Sequence, residues 1–306
     1  MKKISLLVLT MAMMLILAAC SLENGTTNSN SSASKKDDDS LVIGLSVSTL
    51  NNPFFVTLTD GAKAKAEELG ATLTVVDAQD NASKQASDVE DLIQQKVDLI
   101  LINPVDSAAV ATAVESVNAA GIPVITIDRS SEGGEVVSHI ASDNVAGGVL
   151  AGEYLLELIG EGAKVAELEG VAGSSAARDR GEGFNTAVDG KLDIVAKQTA
   201  NFNRAEGLTV MENILQANPD IVGVFAHNDE MALGALEAIA ASGKDIKVIG
   251  FDATDDAVAA VSAGTLSATV AQKPDEIGVK AIEAAVKYLK GETLEASIPV
   301  DLELIK

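Results

Sequence analysis

From Leu41 onward, short runs of apolar and β-branched residues alternate with longer segments in which apolar residues recur every three or four positions. This alternation is typical of repeated strand–helix–strand units. The strand candidates are almost continuously apolar, which predicts strands buried on both faces, as parallel sheets require. They read LVIGLSV, TLTVV, DLILI, IPVITI, KVAEL, IVGVFA, IKVIGF and SATVA. We therefore predict an α/β fold built on parallel sheets.

The segment after the first strand shows how the predicted helices begin and end. Asn52 can cap a helix, Pro53 suits its first turn, and Gly70 follows its last turn. Between them the sequence predicts one apolar stripe, made of Phe55, Leu58, Ala62, Ala66 and Leu69. By this pattern alone Phe54 and Phe55 could be core residues. Residues 107–120 and 228–241 follow a similar pattern.

The N-terminal segment has a composition of its own. Lys2 and Lys3 precede an apolar run that ends in small residues before Cys20. This predicts a signal peptide over residues 1–19, with Cys20 becoming a lipidated N-terminus. An uncut membrane anchor is the alternative, but the run is short for a hydrocarbon core of ~30 Å. Residues 20–40 are polar and without periodicity, which predicts a flexible tether.

Composition limits the remaining possibilities. Cys20 is the single cysteine, so an exported form has no disulfide and depends on burial for stability. The formal net charge is −23, which disfavours nucleic acid and anionic lipid headgroups as partners. Residues 41–306 are too many for one small core and suit two domains.

Polar side chains follow the ends of the predicted strands, where open parallel sheets bind their ligands. They are Ser48, Asn52, Asn103, Asp128 and Arg129 in the first half, and Arg178, Arg180, Asn228, Asp229, Asp252 and Gln272 in the second. The set is rich in hydrogen-bond donors and acceptors and poor in nucleophiles. For the three Asn residues helix capping is an equally good explanation. For Asp128 and Arg129 the alternative is a strand-end ion pair.

Enzyme interpretations find little support in these residues. His139 and His227 have neither metal-ligand spacing nor a neighbouring Ser nucleophile, and no phosphate-binding glycine loop occurs. The pair Gly181 and Gly183 lies in a helical pattern, where helix packing explains it better. Asp128 and Asp252 could form an acid–base pair, but Arg129 favours an ionised carboxylate over a proton donor. We predict no catalytic residue, no metal and no cofactor.

Aromatic residues gather at the same strand ends. Phe54, Phe55, Phe202 and Phe251 are four of the six Phe in the chain. A sugar ring offers apolar C–H faces to such planes and hydroxyl groups to the surrounding polar side chains. The combination favours contact with a polyhydroxylated ring over a purely structural role for the set.

Eight segments carry a resemblance to the ribose-binding proteins of bacterial ABC importers, and they span nearly all of residues 41–306. They are STLNNPFF (48–55), LINPVDS (101–107), VITIDR (124–129), SHIASDN (138–144), GSSAARDRGEGF (173–184), HNDEMALGAL (227–236), VIGFDAT (248–254) and AQKPDEIG (271–278). The resemblance implies a type I periplasmic binding protein fold, with two Rossmann-like lobes joined by three crossings. It implies an N-terminal lobe of residues 41–142 plus 273–300 and a C-terminal lobe of 143–272 plus 301–306. The hinge would lie at 142–143, 272–273 and 300–301.

The resemblance also implies a site. Sugar hydroxyls would be held by Asn52, Asp128, Arg129, Arg180, Asn228, Asp252 and Gln272. The ring would pack against Phe54, Phe55 and Phe202. The pocket wall behind them would contain Ser48, Asn103, Ser142 and Phe251. His227 departs from the resemblance, which predicts Gln at that position.

The function implied is that of a monomeric D-ribose receptor, tied by lipid on Cys20 to the outer face of the cell membrane. It would close around the sugar and deliver it to the permease subunits of an ABC transporter. Allose, another related sugar or a quorum signal is the alternative ligand. A sugar-processing enzyme and a ligand-free scaffold are the alternatives from other classes.

Overall fold

The structure is a computed structural model that describes residues 40–306. The predicted signal peptide, Cys20 and all but the last residue of the predicted tether lie outside the described residues. Within residues 40–306, none of the helices is both long enough and apolar enough to cross a membrane.

Helices and strands alternate along the described chain. The first part forms β1 (Val42–Val47), α1 (Pro53–Glu68), β2 (Thr72–Asp77), α2 (Ala82–Gln94), β3 (Leu99–Ile102), α3 (Ala111–Ala119), β4 (Val124–Ile127) and β5 (Ser138–Ser142). The second part forms α4 (Asn144–Ile159), β6 (Lys164–Glu169), α5 (Ser175–Val188), β7 (Asp193–Thr199), α6 (Arg204–Ala217), β8 (Gly223–Ala226), α7 (Asp229–Ser242), β9 (Lys247–Asp252), α8 (Asp255–Ser262), β10 (Ala268–Ala271), α9 (Pro274–Leu289), β11 (Ser297–Val300) and β12 (Glu303–Ile305).

The strands form two six-stranded sheets. The first has the order β11-β5-β4-β3-β1-β2, with every neighbouring pair parallel. The second has the order β12-β10-β9-β8-β6-β7, and within it β12 alone is antiparallel to its neighbour. We call the first sheet with its helices the first lobe, and the second sheet with its helices the second lobe. The predicted α/β fold with parallel sheets is confirmed.

Three segments carry the chain between the sheets. After β5 of the first sheet, α4 packs against α5 and β9 of the second lobe. After β10 of the second sheet, α9 packs against α1 and β4 of the first lobe. The last passage runs from β11 in the first sheet to β12 in the second.

Apolar residues of a single strand serve both faces of its sheet. In β3, Leu99 and Leu101 belong to the apolar cluster beneath α1 and α9, whereas Ile100 and Ile102 belong to the cluster beneath α2 and α3. All four side chains are fully buried. The continuous apolar run in the sequence therefore corresponds to a strand covered on both sides.

The eight predicted strands all occur, but β5, β7, β11 and β12 were not predicted. Three of these lie at sheet edges, where partial exposure weakens the apolar pattern. Pro299 further weakens the strand pattern of β11, since proline is unusual inside a strand. The fourth, β5, is an inner strand whose pattern is interrupted by Ser138 and His139. In the neighbouring strand β4, the Thr126 hydroxyl forms a hydrogen bond with Nδ1 of His139 at 2.9 Å.

Helix α1 follows most of its prediction. The Asn52 side chain accepts a hydrogen bond from the Phe54 N–H at 2.9 Å, and Pro53 opens the helix. The predicted stripe is wrong at Leu69, which is 43% exposed and follows the last helical turn. Residues 228–241 correspond to α7 with Asn228 as its cap, whereas α3 begins four residues after Ser107 because a turn precedes it.

Candidate binding site between the two lobes

A cavity lies between the lobes at the carboxyl ends of the strands. It is lined by Asn52, Phe54, Phe55, Asp128, Arg129, Ala176, Arg180, Phe202, Asn228, Asp252 and Gln272. The structure therefore brings together all ten residues that the sequence singled out for ligand contact. Ala176, on the first turn of α5, is the additional lining residue. The residues come from both lobes.

Three lining residues have positive backbone φ angles. They are +61° at Asp128, +58° at Phe202 and +119° at Asp252. Residues other than glycine reach this region at a cost of about 1–3 kcal/mol each, which the surrounding structure must offset. Each residue stands where the chain leaves a strand for the loop or helix beyond it. The sharp change of direction aims these side chains into the cavity.

Asn103 supports the Asp128 side of the cavity. Its Nδ2 donates to the carboxylate of Asp128 and to the carbonyl of Ile127, both at 3.2 Å. Its Oδ1 accepts from the Ser48 N–H at 3.1 Å. Asn103 is fully buried and does not cap a helix. Of the two explanations open for this residue, support of the site is the one that its contacts favour.

Arg129 enters the cavity beside Asp128 as a buried cation, 4% exposed. Its Nη1 donates to the carbonyl of Pro104 at 3.1 Å, and its Nε lies 3.6 Å from Asp128 Oδ2. Within residues 40–306 this Nε has no hydrogen-bond partner. Burial lowers the pKa of Arg129, although Asp128 opposes the shift. A buried guanidinium with unused donor capacity suits a ligand that supplies acceptors.

Arg180 holds the corresponding position in the second lobe. Its Nε donates to Asn144 Oδ1 at 2.8 Å, and its Nη1 donates to the carbonyl of His227 at 2.6 Å. Its guanidinium carbon lies 3.9 Å from the ring centre of Phe251. Burial lowers the pKa of Arg180, opposed by Asp252. These contacts fix the guanidinium before any ligand contact is made.

Asp252 lies between Arg180 and Gln272. Gln272 Nε2 donates to Asp252 Oδ1 at 2.8 Å, while Arg180 Nη1 is 3.8 Å from the same oxygen. Burial raises the pKa of Asp252 well above its ordinary value, against the opposing effect of Arg180. Burial thus works against the readily ionised form that the sequence predicts. Hydroxyl donors from a ligand would favour ionisation.

Aromatic rings form the apolar walls. Phe54 and Phe55 meet edge to face, with ring centres 5.1 Å apart. Phe202 faces them from the second lobe. The guanidinium carbon of Arg129 lies 5.1 Å from the Phe55 ring centre and 5.3 Å from that of Phe202. Polar edges and apolar faces therefore alternate around the cavity, as a ring with hydroxyl groups requires.

Asn52 and Asn228 are helix caps and lining residues at once. Asn228 Oδ1 accepts a hydrogen bond from the Met231 N–H at 3.0 Å at the start of α7. Asn52 Oδ1 accepts one from the Phe54 N–H at the start of α1. Capping leaves the Nδ2 of each residue available, and that of Asn228 reaches the carbonyl of Phe202 at 3.4 Å. For these two residues the alternatives of cap and ligand contact are compatible.

The predicted wall residues surround the cavity without lining it. Ser48 and Phe251 are fully buried, and Ser142 is 5% exposed. The strand-end candidates Arg178 and Asp229 also lie outside the cavity. Arg178 is exposed, whereas Asp229 is buried and accepts hydrogen bonds from Thr254 and Thr269.

The sequence did not predict the support beneath Phe202. A side chain at Gly170 would overlap the Phe202 ring. The Gly170 N–H donates to His227 Nδ1 at 3.3 Å, and His227 Nε2 lies 2.8 Å from the buried carboxylate of Glu167. Burial lowers the pKa of His227, opposed by Glu167. The interruption of an apolar strand by Glu167 was the signal that could have revealed this pair.

Gly183 packs one helix against another, whereas a Cβ at Gly181 would lie nearest to the side chains of Glu167 and His227. A side chain at Gly183 would overlap the carbonyl of Val145 in α4. The helix-packing role that the sequence predicts for the pair is confirmed for Gly183. Among residues 40–306, no group of His, Cys, Asp and Glu side chains is placed to hold a metal ion.

Residues 43–293 match the model of the periplasmic binding protein domain. The chain belongs to this family. It is 56% identical to the ribose import binding protein of Bacillus subtilis over 304 residues, and this alignment covers 99% of each chain. An ABC transporter solute binding protein from Mycobacterium smegmatis with bound glycerol has a TM-score of 0.84 and 39% identity, covering 87% of this chain and 94% of its own. An ABC transporter periplasmic solute binding protein from Actinobacillus succinogenes with bound D-allose has a TM-score of 0.81 and 32% identity, covering 87% of this chain and 97% of its own.

Proposed function

We propose that this periplasmic binding protein binds D-ribose between its lobes and delivers it to the permease of an ABC importer. The observation that carries the proposal is a cavity between the lobes that is lined by polar and aromatic residues from both of them. The 56% identity to a ribose import binding protein over nearly the full length supports ribose as the ligand. The cavity supplies amide, carboxylate and guanidinium groups for hydroxyls and Phe rings for the apolar faces.

The lobes would be residues 41–142 plus 273–300 and residues 143–272 plus 301–306. Rotation about the crossings at 142–143, 272–273 and 300–301 would open the cavity. Closure around the sugar would be favoured because contacts from both lobes are made at once. The closed shape would be the one that the permease recognises.

The chain would act outside the cytoplasm, as a monomer, held on the outer face of the membrane by lipid on Cys20. The small-residue run before Cys20 supports this part of the proposal. Metabolic labelling with a fatty acid analogue tests it. Label should enter the unmodified protein and should be absent from Cys20→Ser, whereas equal labelling of both would contradict the anchor.

D-allose is a second candidate ligand. A solved relative at 32% identity holds that sugar in the same fold. Allose and ribose differ by one hydroxymethyl group, which small changes in a cavity can accommodate. Competition between the two sugars at one site would rank them.

A receptor and a sugar-processing enzyme make different predictions for the fate of ribose. The purified chain from residue 21 onward would be incubated with D-ribose and followed by proton NMR. We expect the ribose signals to broaden or shift on binding while no new species appears. Accumulation of a converted sugar would overturn the receptor proposal.

A further inference from the structure

A second set of contacts joins the lobes beside the cavity. Residues 106–107 and 130–132 of the first lobe, which follow β3 and β4, meet residues 173–178 of the second lobe, at the start of α5. We call these segments the latch. Their hydrogen bonds and ion pair use residues that do not line the cavity, although Ala176 in the same stretch does.

Three backbone donors bind across the lobes in the latch. The Ser107 N–H donates to the carbonyl of Gly173 at 2.9 Å, and the Ser175 N–H donates to Ser107 Oγ at 3.3 Å. The Ser130 N–H donates to Ser175 Oγ at 2.9 Å. Ser107 is fully buried. Every one of these bonds must break when the lobes separate.

An ion pair extends the latch towards solvent. Arg178 Nη2 lies 2.7 Å from Glu132 Oε1, with the two side chains 44% and 49% exposed. Arg178 Nη1 also donates to the carbonyl of Gly173 at 3.2 Å. The cation therefore contacts both lobes, bridging Glu132 in the first to Gly173 in its own.

Gly173 packs so closely against the first lobe that a side chain at this position would clash with it. A Cβ built on Gly173 would overlap the carboxylate of Asp106, and its three nearest atoms all belong to that residue. The Asp106 carboxylate is fixed by the N–H groups of Ala108 and Ala109, at 2.9 and 2.8 Å. Gly173 is not among the described residues with positive φ, so the backbone there accepts alanine. The obstacle to alanine therefore lies in the opposite lobe.

We propose that the latch stabilises the closed state and so sets sugar affinity without touching the sugar. The inference rests on the proposed function. The apparent ligand affinity is the intrinsic affinity of the closed form multiplied by the fraction of the protein that is closed without ligand, so contacts that favour closure raise it. The latch also fixes the start of α5, which carries Arg180 into the cavity. These residues are positioning residues for binding.

The test compares latch variants by calorimetric titration with D-ribose and by stopped-flow dissociation. Gly173→Ala should weaken ribose affinity about tenfold or more, mostly through faster dissociation, because its methyl group would overpack a fixed neighbour in the opposite lobe. Arg178→Ala and Glu132→Ala should each weaken it about two- to fivefold, with the double variant no worse than the stronger single.

Lys164→Ala is the matched control. Lys164 pairs with Asp220 at the same 2.7 Å and is 43% exposed, but both residues belong to the second lobe. The ribose affinity of the Lys164→Ala variant should equal that of the unmodified chain. Without sugar, Gly173→Ala should unfold at the temperature of the unmodified chain, since its obstacle lies across the cleft.

Each outcome decides the proposal. Unchanged ribose affinity in Gly173→Ala would overturn the latch and leave ribose binding intact. A weaker affinity accompanied by a lower unfolding temperature would also overturn it, since the defect would then lie within a lobe. If the unmodified chain bound no ribose, the proposed function would fall and the latch with it.

Discussion

The guanidinium carbon of Arg129 lies 5.3 Å from the ring centre of Phe202, although Arg129 follows a strand of the first sheet and Phe202 a strand of the second. The same guanidinium lies 5.1 Å from Phe55 of the first lobe. A cation between aromatic rings of two lobes can exist only while the lobes are together. The site is therefore a property of the closed arrangement, and neither lobe alone presents it.

Replacing Phe202 tests the aromatic wall. Phe202→Leu removes a ring face from the sugar and a cation–π partner from Arg129, each of which contributes about 0.5–2 kcal/mol. Ribose affinity, measured by calorimetry, should fall about tenfold or more. Gly170→Ala should act in the same direction because its methyl group would displace the Phe202 ring. Unchanged ribose affinity in both variants would show that Phe202 does not contribute to sugar binding.

Asp252 is the polar residue whose loss should be most damaging. Asp252→Ala leaves Gln272 Nε2 and the Arg180 guanidinium facing an empty space, so ribose affinity should fall by at least ~2 kcal/mol, or about thirtyfold. Asp245→Ala is the control, because that carboxylate is 87% exposed in the same lobe. Binding close to that of the unmodified chain in Asp252→Ala would contradict this assignment.

Serine substitutions separate the capping role of Asn52 from its ligand role. Serine caps helices about as well as asparagine, so Asn52→Ser should change the free energy of unfolding by less than about 0.5 kcal/mol. It removes the Nδ2 donor from the cavity, which should weaken ribose binding about fivefold or more. Asn81→Ser, at the cap of α2, is matched for capping and should leave binding unchanged. Equal affinities in the two variants would restrict Asn52 to capping.

His227 should make stability sensitive to acid. Its pKa is lowered by burial, and its Nδ1 already accepts from Gly170, so the folded chain keeps it neutral among Glu167, Glu169 and Arg180. The unfolded chain takes up this proton below a pKa of about 6.5. Stability should therefore fall as the pH drops below that value.

His227→Gln isolates this contribution. Between pH 7.5 and 5.5 the unmodified chain should lose about 1 kcal/mol more free energy of unfolding than the variant, measured by denaturant titration at both values. Glutamine can still supply one donor and one acceptor but does not titrate. Identical pH dependence in the two proteins would show that folding does not lower the pKa of His227.

The lining residues could be predicted from sequence because of where strands end. Each apolar run identifies a strand, the carboxyl ends of parallel strands meet at one edge, and Asp128, Asn228 and Asp252 stand there. For Phe55 periodicity alone favours the core, and Phe54 could be a core residue as well. The structure shows both to be buried and to line the cavity, so the two roles coincide.

Other features depend on contacts that no local pattern encodes. Gly173 and Asp106 are far apart in sequence, and nothing in either segment indicates that they meet across the lobes. Gly170 leaves room for the Phe202 ring and donates its N–H to His227, and two helices and two strands separate Gly170 from His227 along the chain. Leu69 continued the apolar period of α1 but fell beyond its last turn, where no element of the first lobe covers it.

The most direct test is a calorimetric titration of the chain from residue 21 onward with D-ribose, D-allose, D-glucose and D-galactose. We predict one site per chain with D-ribose bound most tightly, D-allose more weakly, and little or no heat from the two other hexoses. Tighter binding of glucose or galactose than of ribose would contradict the account, and so would the absence of heat with all four sugars.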